Sequence, residues 1–125
     1  MTEDSTVSLI KAVVANMQGA EDDWVTLSMV VEFRERRIAT TYGYAYNSTN
    51  EAYAVAARPS RIMEAFDQFV ENTYGPDEPA PVKLLIQFNR DSGQYTVQYE
   101  DTDRLRWKVT PNNIDTIINE LRPNF

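Results

Sequence analysis

Apolar positions at the start of the chain follow a helical period. Val7, Ile10, Val13, Val14 and Met17 fall on one face of a helix predicted over 5–18. Ser5 or Thr6 caps its start and Gly19 stops it. From Val25 the period changes to two. Val25, Leu27, Met29, Val31 and Phe33 alternate with Thr26, Ser28 and Glu32, the pattern of a half-buried strand. Arg34-Glu35-Arg36 turns the chain into a second strand marked by Ile38, Thr40, Tyr42, Tyr44 and Tyr46. Gly43 within it signals a bulge or a close backbone approach. Asn47 to Asn50 is a turn, and Tyr53, Val55 and Ala57 mark a third strand. A second helix, over 60–74, carries Ile62, Phe66, Phe69 and Val70 as its stripe and ends at Gly75-Pro76. The three prolines between 76 and 81 make a stiff loop. Leu84, Ile86 and Phe88 alternate, Asp91-Ser92-Gly93 turns, and Tyr95, Val97 and Tyr99 alternate again. Trp107 and Val109 extend that strand or begin a short one. Thr110 and Pro111 open a last helix over 111–121, with threonine as cap and proline at the first position.

The order is α-β-β-β-α-β-β-α. Short connections make the neighbouring strands antiparallel, in hairpin units over 25–46 and 83–100. The expected fold is α+β, a five-stranded antiparallel sheet with helices on one face. Its expected core is Leu27, Met29, Val31, Phe66, Phe69, Leu84, Ile86, Val97, Ile114 and Ile118. The tyrosines have two readings: core if helices cover their face, contact surface if not. Trp24 is out of phase with Val25 and Leu27 and is expected opposite the core row.

At 125 residues the chain is read as a single domain, 1–125, long enough to bury a core without disulfides or metal. It contains no cysteine and no histidine. No apolar run approaches the roughly 20 residues that span a bilayer, and the first residues are acidic where a signal peptide is basic, so the expected location is cytoplasmic, without membrane attachment. The net charge of −7 repels phosphate backbones and argues against nucleic-acid binding. It favours encounter with a basic partner.

Nucleophilic catalysis pairs Ser, Thr or Cys with a base, most often His. Serines are present, but no histidine or cysteine is, and nothing marks Lys11, Lys83 or Lys108 as a substitute base. The isolated glycines form no phosphate-binding loop. Arg34, Arg36 and Arg37 read as a hairpin tip balanced by Glu32 and Glu35. Glu100, Asp101 and Asp103 lack the glycine-punctuated spacing of a calcium loop. The expectation is therefore no catalytic residue, no cofactor and no metal. What remains is a partner-binding surface of Tyr99, Glu100, Asp101, Asp103 and Trp107, where carboxylates adjoin aromatic anchors and can receive a partner's Arg or Lys. Its bland counterpart is a solvated acidic loop. Glu21-Asp22-Asp23 and Asp77-Glu78 are the competing acidic clusters. Trp107 also lies among Arg104, Arg106 and Lys108, within reach of cation–π contacts.

The stretch from Leu84 to Asp101, strand–turn–strand with alternating aromatics and a closing acid, resembles the corresponding hairpin of YezG-like immunity proteins, antitoxins of bacterial polymorphic toxin systems. Trp24, the strands to Ala57 and the helix from Ser60 follow the order of that family. The resemblance implies a non-enzymatic antitoxin that sequesters a cognate toxin domain, a basic nuclease being one case. The runner-up is a small acidic chaperone or adaptor for a secreted effector.

Overall fold

Three helical segments and six extended ones make up the fold, five of the latter being those that the period-two patterns predict. The computed structural model describes residues 5–35, 37–74, 78 and 80–123. Its elements are α1 (Ser5–Asn16), β1 (Met17–Gln18), β2 (Trp24–Arg34), β3 (Arg37–Asn47), β4 (Ala52–Ala57), α2 (Pro59–Thr73), β5 (Lys83–Asn89), β6 (Tyr95–Glu100) and α3 (Ile114–Glu120). All strand pairs are antiparallel, in the order β1-β4-β3-β2-β5-β6. The sheet thus has six strands, not the expected five. The extra one is β1, whose Met17 pairs with Ala57 and Gln18 with Ala56. No helix among the described residues is long and apolar enough to cross a membrane.

The first face of the sheet carries the row read from the period-two pattern. Leu27, Met29, Val31 and Phe33 pack with Leu84 and Ile86 under Leu9, Ile10 and Val13 of α1 and Ile62, Phe66 and Phe69 of α2. Phe33 and Phe66 meet edge to face with ring centroids 4.6 Å apart, a favoured aromatic geometry. Val97 is only partly buried at the margin of this core. Trp24 belongs here too, at 6% exposure, rather than on the opposite face. The register between β2 and β3 shifts between Trp24 and Thr26. That shift is a bulge, in which one extra residue reverses the facing of those before it. Phe88 packs beside Trp24, and the Arg90 guanidinium lies 4.3 Å from its ring centroid.

The second face is covered as well, which corrects the expectation of helices on one face. Val30, Leu85, Tyr44 and Tyr46 form a smaller core closed by Ile117 and Leu121 of α3. Tyr44 and Tyr46 are therefore core, while Tyr42 is half-buried at its margin. Ile114, expected inside, is 46% exposed and Ile118 is partly buried. A helix of seven residues has little stability of its own. Three side chains of the sheet hold its C-terminal carbonyls. Tyr46 Oη donates to Ile118 O at 2.7 Å, Gln87 Nε2 donates to Leu121 O at 3.1 Å, and Ser28 Oγ donates to the same carbonyl. These bonds satisfy carbonyls that a helix end otherwise leaves without partners.

Gly43 marks the close approach its position suggested. A Cβ there would run into the backbone carbonyl of Ser28 on β2. The Gly75-Pro76 helix stop and most of the proline loop lie outside the described residues.

Candidate functional site

Sheet alternation splits the predicted partner-binding segment between the two faces. Tyr99 pairs with Leu84 and so follows the α1/α2 face, together with Tyr95 and Val97. Glu100 pairs with Lys83 and follows the α3 face. Trp107 does not extend the strand. It sits at φ 62, in a turn after β6, and packs partly buried against the Val30–Tyr44 core, with the Arg106 guanidinium 4.3 Å from its ring centroid.

The carboxylates also divide. Glu100 folds its own loop: Arg106 Nη1 donates to Oε1 at 2.9 Å, and the backbone N–H groups of Thr102 and Asp103 donate to Oε2 at 3.3 and 3.2 Å. The Arg106 hydrogen bond, then the two backbone donors, hold its carboxyl below the usual glutamate value. Asp103 Oδ1 accepts from Leu105 N at 2.9 Å, a local Asx-type bond that shapes the same loop. Asp101 is exposed, two residues past Tyr99, and its charge reaches Tyr74. The Tyr74 hydroxyl is pushed up to about 12, first by burial and then by Tyr99, Asp101 and Glu78. Tyr99, Asp101, Tyr74 and Glu78 thus share one surface, and Glu100, Asp103, Arg106 and Trp107 another.

The first of these surfaces has an additional member that the acid-centred reading missed. Tyr95 is 42% exposed and Tyr99 44%. They stand four residues apart on the same face of β6, with Val97 between them. Among the described residues β6 ends the sheet, with β5 as its single neighbouring strand. Beside Tyr95, a groove of about 530 Å³ runs between α1 and the β5–β6 hairpin. Val7, Ile10 and Val14 line one wall, Phe88 and Tyr95 the other. The signal was present in sequence as period-two aromatics on the last strand of the order. Which strand forms an edge is a property of pairing, not of local pattern.

Among the described residues no group of three or more His, Cys, Asp or Glu is placed to hold a metal ion. The chain matches no family model, no curated protein and no solved structure.

Proposed function

We propose that this chain is a non-enzymatic protein-binding module that presents the aromatic edge of its sheet to a partner, in the role of an immunity protein that neutralises a cognate toxin domain. The observation that carries the reading is the exposed Tyr95–Tyr99 row on an edge strand beside an apolar groove. Tyrosines bury a large area at low entropic cost and concentrate at interface hot spots. An edge strand is a template for main-chain pairing with another chain. Asp101 beside Tyr99, in a chain of net charge −7, supports a basic partner through steering. The resemblance of the 84–101 hairpin to YezG-like antitoxins supports the immunity role, and a cytoplasmic location accompanies it.

The test is coexpression with the product of the adjacent gene. A one-to-one complex is expected, together with protection of cells from that product. Tyr95→Ser with Tyr99→Ser should weaken association by roughly 30-fold or more, the effect of losing a hot spot of about 2 kcal/mol. Wild-type affinity in that double variant overturns the assignment of the surface. Failure of the two proteins to associate overturns the immunity role.

The groove favours a second reading, the chaperone or adaptor for a secreted effector. An extended apolar segment fits a channel between a helix and an edge strand better than a folded domain does. That reading predicts binding to an isolated effector segment rather than to its toxin domain.

A further inference from the structure

Lys83 begins β5 on the α3 face of the sheet and is only 1% exposed. Burying an ammonium is costly unless it is paired. Its Nζ donates to Tyr42 Oη at 3.1 Å and to the Arg106 carbonyl at 2.8 Å. Both acceptors are neutral, and an ammonium carries three donors. No carboxylate of the described residues makes an ion pair with it.

Its surroundings add positive charge. Lys83 lines a cleft of about 460 Å³ with Arg34, Arg104, Lys108, Tyr42 and Glu32. Glu32 is the single carboxylate in that lining, against four cations. It holds Arg34 at 3.8 Å and Arg104 at 4.0 Å, the outer limit of an ion pair. Burial pulls the Lys83 ammonium below its ordinary value, and the nearby cations Lys108 and Arg104 push the same way against Glu32 and Asp103. Local concentration of cations in a strongly acidic chain is the reverse of what solubility requires. Leu105 and Val109 complete the cleft with an apolar wall.

We propose that this cleft binds a small phosphate monoester. Its head group lies among Lys83, Arg34, Arg104 and Lys108, and its organic group lies against Leu105, Val109 and the Tyr42 ring. A phosphate monoester carries about −1.5 to −2 at pH 7, which matches the excess of two positive charges left when Glu32 in the lining and Asp103 beside Lys83 are set against the four cations. Guanidinium forks suit phosphate oxygens bidentately. The volume falls within the range of small-molecule sites. The site lies on the face opposite the α1/α2 core and is independent of the protein-binding edge.

The experiment is titration of the full chain with phenyl phosphate, inorganic phosphate and benzoate, followed by amide NMR shifts and calorimetry. Phenyl phosphate should give saturable shifts at Glu32, Tyr42, Lys83 and Arg104, with inorganic phosphate weaker. Benzoate should bind about tenfold or more weakly than phenyl phosphate, the loss of one charge-assisted contact. Arg104→Gln with Lys108→Gln should weaken phenyl phosphate by roughly 10- to 100-fold, with the chain still folded and the Tm lowered only by the loss of the Arg104 bond to the Phe33 carbonyl. Lys83→Met should abolish binding while lowering the Tm only modestly, since Tyr42 Oη and the Arg106 carbonyl lose their donor as a buried charge is removed. No saturable shift with either phosphate overturns the proposal. So does binding that survives both variants. Benzoate binding as tightly as phenyl phosphate overturns it in favour of a site for a partner's acidic side chain.

Discussion

Replacing Leu121 by alanine tests how the second face is closed. Leu121 is fully buried, and its carbonyl accepts from both Ser28 and Gln87. The substitution removes the side chain and keeps the carbonyl. Because the sheet still grips that carbonyl, and Tyr46 grips the one at Ile118, the helix cannot settle into the gap. The cost should therefore lie in the upper half of the range for a buried Leu→Ala change, about 3–5 kcal/mol. Ser28→Ala removes two hydrogen bonds, the one to the Leu121 carbonyl and the one Ser28 Oγ accepts from Gln87 Nε2 at 3.3 Å, each of roughly 0.5–1.5 kcal/mol, and leaves Gln87 bound to the carbonyl. The expected order is thus Leu121→Ala above Ser28→Ala. Urea unfolding measures both, and the two tryptophans report separately. Trp24 lies in the α1/α2 core and Trp107 against the α3 core. In single-tryptophan backgrounds both probes should show one coincident transition if the faces unfold together. A Leu121→Ala loss below about 1 kcal/mol would show that α3 is not docked as described. A transition seen by Trp107 well before Trp24 would show that the two cores unfold separately.

Phe66→Ala, at the centre of the first core, should cost roughly 3–5 kcal/mol in the same urea assay. Gly43→Ala should cost about 1–3 kcal/mol, because the new methyl meets the Ser28 backbone and two paired strands must separate to admit it. Thermal melts would show the loss. Tyr42 and Tyr74 are each pushed up to about 12, chiefly by burial, and burial raises Tyr46 as well. A raised folded value means the stabilisation is whole below the ordinary tyrosine value near 10 and is lost as pH climbs through the folded ones. Tyrosinate absorbance should therefore appear late for these residues, with stability falling from about pH 10 upward. Titration of all seven tyrosines near pH 10 would contradict their burial.

Most elements could be read from the chain because their periods are local. Leu27 to Phe33 and Ile62 to Val70 announce a strand and a helix wherever they sit. What escaped depends on pairing across distance. β1 has two residues and no period, and exists because Met17 finds Ala57. Trp24 changed face through a bulge that alternation cannot register. The covering of the second face did leave a trace: Met29-Val30-Val31 and Leu84-Leu85-Ile86 are unbroken apolar runs, the mark of strands buried on both sides. The candidate surface was partly legible. Tyr99 and Asp101 remain together at the surface, whereas Glu100 is occupied by an arginine six residues on. No period foretells that contact. Lys83 looked like any surface lysine at a strand start, and only the register placing it between Glu32 and Glu100 reveals it as interior.

The two ends of the sheet are unequal, and that inequality biases where another strand can add. β1 offers two residues before Gly19 turns the chain across Ala54, whereas β6 offers six. A molecule with two long edges can stack end to end without limit. Among the described residues β6 is the longer open edge, while β1 covers β4 at Ala56 and Ala57 alone and leaves Ala52 to Val55 without a strand neighbour on that side. Two copies joined through β6 form a closed pair, and one copy joined to a foreign strand has used its longer edge. The six-residue aromatic edge of β6, set against so short a β1, favours strand pairing at that end of the sheet over the other.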